Sequence, residues 1–262
     1  MYLFITFIFG VCMGSFSNVV IYRIPIMMSR TDSYSSFNLF LPRSHCPQCQ
    51  HILSPLELIP LLGWIFLQGK CSVCHCRISA RYPAMELLHG VGYCILAQYI
   101  RDPFTALPLC FFINALIIIA VIDYRHFLIP DMVTIPLVWT GLLWNSSPDG
   151  LVDLHQALYG AVAGYLSLWV NYWLYYIIRK REGLGYGDMK LSAALGAWLG
   201  AGSINVIMLV ASVVGLCIWL VRRNTFHDKV IPFGPALCFG GVLYLLLMDS
   251  QNTYWRMIKI FI

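Results

Sequence analysis

Apolar runs long enough to cross a lipid bilayer recur along the whole chain, and the first, Met1 to Tyr22, carries no charged side chain. A helix needs about 20 such residues to cross the hydrocarbon core. No basic segment precedes this run, no small-residue cleavage site follows it, and its first positive charge, Arg23, comes after the apolar stretch. It is therefore expected to remain as a first span rather than leave as a signal peptide. Further runs lie at about 83–100, 104–122, 132–147, 156–178 and 233–249, and 31 mostly apolar residues lie between Leu191 and Val221. Hydrophobic residues make up 59% of the 262 and charged residues 11%, against about 25% charged in an average soluble domain. Too few polar side chains remain to coat a water-facing sphere. That excludes a soluble globule, a disordered chain and a coiled coil.

Between the first run and the second, residues 23–82 hold six of the 17 basic residues, a Ser-rich stretch from Ser29 to Ser36 and a cysteine cluster. This is the one water-exposed segment of any size. If 191–221 makes two short crossings, eight in total with the N-terminus outside, 14 of the 17 basic residues fall on the cytoplasmic side and only Arg101, Arg256 and Lys259 fall outside. A single crossing there would carry Arg222 and Arg223 to the outside. The expectation is an all-α polytopic membrane protein of about eight transmembrane helices: a first helix over 1–22, a cytoplasmic tetracysteine loop domain over 23–82 between helices 1 and 2, and a membrane domain over 83–262. The helix opening at Leu191 is expected to be short or re-entrant. The net charge of +5 is small and topologically arranged, which gives no sign of nucleic-acid binding. No internal repeat is evident, which counts against an inverted-repeat transporter.

Only 12 acidic residues exist, so those near spans carry information. Asp32, Glu57, Asp102, Asp149 and Asp153 read as solvated loop charges, and Glu86 and Asp249 as anchors at span ends. Asp123 closes the apolar run ending at Ile122 and opens Asp123-Tyr-Arg-His-Phe-Leu-Ile-Pro-Asp131; Asp188 sits in Glu182-Gly-Leu-Gly-Tyr-Gly-Asp188-Met-Lys190. The basic-residue count puts both at the cytoplasmic ends of spans, without the acids having been used to place them. Carboxylates there either serve a function or find a partner, here Arg125 or Lys190. Two carboxylates meeting across helices share a proton. The ionised one can take a proton from water, and the neutral one can hydrogen-bond a carbonyl oxygen. Together they make an aspartyl peptide hydrolase that needs no nucleophilic side chain. Gly183, Gly185 and Gly187 are expected to supply unusual backbone conformations and close approach for a substrate strand.

Cys46-x2-Cys49 and Cys71-x2-Cys74 form two knuckles separated by 21 residues. This spacing suits a tetrahedral thiolate site for zinc, and in a reducing cytoplasmic loop it favours zinc over disulfides. The role is structural, because four thiolates leave no open position. His75 and Cys76 break the paired spacing and are left out of the ligand set. Cys12, Cys94, Cys110, Cys217 and Cys238 read as small buried hydrophobes.

Several blocks occur in a fixed order. They are Gly14-Ser-Phe-Ser-Asn-Val-Val-Ile-Tyr-Arg-Ile-Pro25, Pro42-Arg-Ser-His-Cys-Pro-Gln-Cys49, Gly69-Lys-Cys-Ser-Val-Cys74 and Ile78-Ser-Ala-Arg-Tyr-Pro-Ala-Met-Glu-Leu-Leu88, then Asp123 to Asp131, Glu182 to Leu191, and Ile231-Pro-Phe-Gly-Pro235. Over nearly its whole length the chain resembles the bacterial type IV prepilin peptidases, the Gly-x-Gly-Asp membrane aspartyl proteases also called leader peptidase/N-methyltransferases. The resemblance implies that Asp123 and Asp188 are the catalytic pair, with Asp131, Glu182, Gly185, Gly187 and Lys190 in support. It implies prepilin or pseudopilin substrates whose short basic leader is cut on the cytoplasmic face of the bacterial inner membrane, and N-methylation of the new N-terminus with S-adenosylmethionine. Gly69 matches a family position tied to that second step. Where the family reads Glu-Asn-Ile-Pro-x-x-Ser-Trp, this chain reads Glu57-Leu-Ile-Pro-Leu-Leu-Gly-Trp64.

A boundary site suits such a substrate, whose apolar helix stays in lipid while its basic leader sits in the cytoplasm. Asp131, Glu182 and Asp228 are expected to attract that leader. Two readings compete: a cation transporter with Asp123 and Asp188 as ligands, and a non-catalytic zinc-bearing assembly factor of a secretion machine.

Overall fold

A computed structural model of the protein describes residues 2–29, 37–100, 102–181, 183–222 and 231–261. These residues are helical apart from loops and two isolated β-bridges. In chain order the helices are α1 (Tyr2–Ser29), α2 (Leu62–Phe66), α3 (Arg81–Tyr99), α4 (Pro103–His126), α5 (Asp131–Asn145), α6 (Leu154–Arg179), α7 (Tyr186–Leu199), α8 (Ala201–Arg222) and α9 (Gly234–Phe261). Among the described residues three helices are long and apolar enough to cross a membrane, over Tyr2–Ser29, Phe104–His126 and Ala201–Leu220, and Gly234–Met248 is a shorter apolar helix. At 1.5 Å per residue α5 and α7 extend only about 22 and 21 Å.

The 31-residue apolar stretch divides at Gly200, whose positive φ of 80° ends α7 one residue before α8 begins. Elsewhere the charge-based boundary is passed. α1 runs on from Tyr22 to Ser29 because Arg23 does not face water: it is buried, and its guanidinium donates to the carbonyls of Asn38 and Pro42 at 2.8 and 2.6 Å.

The chain forms two compact units, Met1–Asn114 and Ala115–Ile262. In the first, α1 and α3 meet through glycine. A Cβ at Gly10 would lie 2.6 Å from the His89 carbonyl oxygen, and one at Gly14 would lie 2.7 Å from the Glu86 Cα. This Gly-x3-Gly face lets backbones approach where lipid offers no hydrophobic drive to associate. Beneath it Ser17, His89 and Asn114 form a buried polar cluster, with the Asn114 amide 2.7 Å from Ser17 Oγ and 2.8 Å from His89 Nε2. Glu86 is not an interfacial anchor. It is buried, and its carboxylate accepts the Leu61 N–H at 2.8 Å, tying the loop to α3.

In the second unit α7 is buried on nearly every face, including all of Ala194–Leu199. A helix that is apolar all round belongs inside. Gly160 and Gly164 of α6 give it room, since a Cβ at Gly160 would collide with the Gly196 carbonyl oxygen and one at Gly164 with that of Ser192. On α5, Leu137 O accepts the Trp198 indole N–H at 2.8 Å, and Asn145 donates to the Ala197 and Trp198 carbonyls that end α7. The short helix is thus held as the core of its unit. Cys110 and Cys238 are buried as expected, whereas Cys12 and Cys217 lie on exposed faces.

Candidate active site and metal centre

Asp123 occupies the last full turn of α4. That helix closes where the Phe127 N–H, at a positive φ of 54°, donates to the Asp123 carbonyl oxygen. Asp188 opens α7, its N–H 3.2 Å from the Gly185 carbonyl oxygen. Both carboxyl groups are buried, they interact electrostatically, and both act on the Cys238 thiol of α9. Oδ2 of Asp123 accepts the Gly234 N–H, at the start of α9, at 2.9 Å. Helix N-termini favour negative charge through such N–H groups. Oδ1 of Asp188 is buried with no hydrogen-bond partner among the described residues, as is the hydroxyl of Ser192 one turn further along α7.

Ile129, in the connection from α4 to α5, explains two of the glycines. A Cβ at Gly187 would lie 2.7 Å from the Ile129 Cβ, and one at Gly234 would lie 3.2 Å from its Cδ1. Gly183 is held close to the Tyr175 ring, and a Cβ at Gly185 would make ordinary contact at 3.4 Å with Asp188 Oδ2. Gly185 and Gly187 take no positive φ, so the expected unusual backbone is absent at those two; close packing is the physical reason for Gly183 and Gly187. Gly234 had no assigned role in the sequence, although the Ile231–Pro235 block containing it was conspicuous there.

Lys190 does not neutralise Asp188. Its ammonium lies 2.7 Å from both Oδ1 and Oδ2 of Asp131, at the start of α5. Asp131 is therefore paired with Lys190 at an exposed position. Glu182 and Asp228 lie outside the described residues.

The cysteine loop contains a repeat that its sequence shows only as two Cys-x2-Cys pairs. The hydrogen bond from Cys46 N to His51 O recurs from Cys71 N to Cys76 O, Gln50 N to Cys46 O recurs as His75 N to Cys71 O, and Leu53 N to Ser44 O recurs as Ile78 N to Gly69 O. The bridges His45–Ile52 and Lys70–Arg77 and the positive φ of Gln50 and His75 follow the same register. Each knuckle points N–H groups at its sulfurs: Cys49 and Gln48 at Cys46, His51 at Cys49, and Cys76 at Cys74. The first pair pulls the Cys46 thiol down to about 6.

Sulfur separations are 3.7 Å for Cys46–Cys74 and 3.9 Å for Cys49–Cys71. Bonds of about 2.3 Å to a tetrahedral zinc require edges of about 3.8 Å, so the donors fit that ion. Cys76, left out on spacing, belongs to the cluster: its sulfur is 3.4 Å from that of Cys46, and Cys46, Cys71, Cys74 and Cys76 lie within 4.8 Å of one another.

Two loop acids and one glycine gain structural reasons. Glu57 is not a solvated charge; it accepts from the Ser72 hydroxyl in the second knuckle and from the Ser54 N–H after the first, which holds its carboxyl down at about 2. Gly69 has a positive φ of 68°, and a Cβ there would lie 2.8 Å from the Trp64 ring, whose N–H donates to Ile78 O.

Comparison with known proteins agrees with this arrangement. Residues 8–100 match the family model described as Bacterial Peptidase A24 N-terminal domain, and residues 110–220 match Type IV leader peptidase family. The chain is 41% identical to a prepilin leader peptidase/N-methyltransferase of Aeromonas salmonicida, covering 97% of this chain and 94% of the relative. It is 39% identical to one from Dichelobacter nodosus, over 93% and 91% of the two chains, and 38% to one from Pseudomonas aeruginosa, over 95% and 92%. No solved structure matches. With both halves matched and relatives of this identity covered almost end to end, the chain belongs to the type IV leader peptidase family.

Proposed function

We propose that the protein is a membrane aspartyl endopeptidase. It removes the short basic leader from type IV prepilins or type II secretion pseudopilins, and the new N-terminal residue is then N-methylated with S-adenosylmethionine. The observation that carries the peptidase reading is the burial of Asp123 and Asp188 within electrostatic reach of each other at two helix ends. The pair shares one proton. The ionised carboxylate takes a proton from a water that attacks the scissile carbonyl, and the protonated one hydrogen-bonds the carbonyl oxygen as charge builds there. Proton return to the departing amine completes cleavage. The Gly234 N–H fixes the rotamer of Asp123, and the buried Oδ1 of Asp188, which has no partner among the described residues, is the oxygen left to bond the reacting water or the substrate carbonyl.

The charge distribution supports eight crossings with a periplasmic N-terminus, a first span, a cytoplasmic cysteine loop and a membrane domain carrying both Asp residues at the cytoplasmic boundary of the inner membrane. There the scissile bond of a substrate anchored by its apolar helix meets water.

A zinc ion held by the knuckles would crosslink the two halves of the loop and, with four thiolates, leave no place for a reacting water. Gly69 is read as the residue of this loop tied to the methyl-transfer step. The Trp64 ring and the left-handed backbone account for its being glycine.

The test incubates membranes containing the protein with a prepilin and follows leader removal in wild type, Asp123→Asn and Asp188→Asn. Cleavage lost in both, with metal content and accumulation unchanged, is the expected result. Cleavage persisting in both ends the peptidase reading in favour of a cation pathway or a docking factor.

A further inference from the structure

Five thiols, not four, meet in the cysteine loop, and a tetrahedral ion takes four. Cys46, Cys71 and Cys74 are common to every arrangement. The Cys49 sulfur lies 3.9 Å from that of Cys71 and also interacts with Cys46 and Cys74. Cys76 contacts Cys74 and Cys46, the latter at 3.4 Å, and its sulfur lies within 4.8 Å of all three. The register of the two knuckles explains the fifth thiol. Position 76 corresponds to position 51, where the first knuckle carries His51; in each knuckle that residue aims its N–H at the second cysteine, Cys49 or Cys74. A thiol in place of the imidazole adds a donor at the edge of the site. Burial separates the two candidates: Cys76 is half-buried and Cys49 exposed, while of the three shared thiols Cys46 and Cys71 are buried and Cys74 is exposed.

We propose that Cys49 and Cys76 are interchangeable fourth ligands of one metal ion whose other three are Cys46, Cys71 and Cys74. The thiol left out rests against the bound sulfurs as a hydrogen-bond donor. In an exchange the incoming thiol gives its proton to the departing thiolate, one metal–sulfur bond forms as one breaks, and no electron moves. The ion is therefore retained when the exposed Cys49 is lost to oxidation or alkylation. This rests on the reading of the loop as a metal site.

The experiment uses the full chain purified in detergent, with zinc content measured directly and cobalt(II) substituted to read sulfur-to-metal charge-transfer absorbance. Wild type, Cys49→Ser and Cys76→Ser are each expected to hold one ion with the same absorbance. Cys49→Ser/Cys76→Ser should lose about a quarter of that absorbance, as the loss of one of four thiolates requires, and release its ion faster to a chelator. If Cys49→Ser alone behaves like Cys49→Ser/Cys76→Ser in metal content, absorbance or chelator release, Cys76 is no substitute and the inference is wrong. Loss of the ion from Cys76→Ser alone overturns it too, by making Cys76 obligatory. A wild-type protein that takes up neither zinc nor cobalt removes the metal site itself, which is distinguishable from either result.

Discussion

The backbone N–H of Gly234 lies 2.9 Å from Oδ2 of Asp123, and a Cβ on that glycine would lie 2.7 Å from the same oxygen. One residue thus donates the hydrogen bond that orients the carboxylate and leaves the space it occupies. Gly234→Ala should displace Asp123 and lower kcat for prepilin cleavage by about 10²-fold, the usual cost of a misplacement near 1 Å. Gly187→Ala should act in the same direction by pushing on Ile129. Gly185→Ala, where the contact is an ordinary 3.4 Å, should keep most of the activity. Equal damage from all three would contradict this geometry.

Asp131 and Lys190 tie the start of α5 to α7 through two 2.7 Å contacts, but both side chains are well exposed. Such a pair contributes about 0.2–1 kcal/mol. Asp131→Asn should therefore cost little stability and leave KM for a basic leader unchanged, because the carboxylate is already paired. A double-mutant cycle with Lys190→Met measures the coupling. A KM that rises several-fold in Asp131→Asn would show that Asp131 attracts the leader despite its pairing with Lys190.

The Ser17–His89–Asn114 cluster is fully buried between helices of the first unit. Asn114→Leu leaves His89 Nε2 and Ser17 Oγ without that partner and should cost about 1–3 kcal/mol, read as a lower Tm in detergent. Peptide cleavage by the surviving folded fraction should be unchanged, since no member of the cluster belongs to the Asp123–Asp188 site.

Glu57 joins the two knuckles as a carboxylate held at about 2 by the Ser72 hydroxyl and the Ser54 N–H. A carboxyl depressed on folding stabilises the fold above its unfolded value, about 4.3, and loses that contribution as pH falls toward its folded value. The stability difference between wild type and Glu57→Gln should shrink steadily as pH falls below about 5. Thermal melts of the two proteins across this range provide the check; a gap that widens on acidification would show that the charged form is not the one held.

That 191–221 holds two helices was legible because charge counting favoured two crossings, but the break at Gly200 and the start of α7 at Tyr186 rather than Leu191 were not. The Asp123 and Asp188 motifs and the cysteine pairs were legible because each rests on local spacing. Other features depended on contacts between distant segments. Lys190 is two residues from Asp188 yet pairs with Asp131, 59 residues away, and Arg23 reaches back to its own loop instead of ending a helix. The Gly10–Gly14 and Gly160–Gly164 spacings were visible, but glycine is common in apolar helices, and only the facing backbones of α3 and α7 showed that these faces pack.

The amino-acid order determined that this chain lies in lipid, that its helices fall where its apolar runs fall, and that two acids and two thiol pairs were the groups to watch. Those are consequences of desolvation cost and ligand spacing, which act on neighbours along the chain. Folding decided which N–H meets Asp123, which cation Asp131 holds, and that Cys76 enters the sulfur cluster. Each of these depends on ångström-scale separations between segments brought together by packing, and spacing along the sequence does not encode such separations.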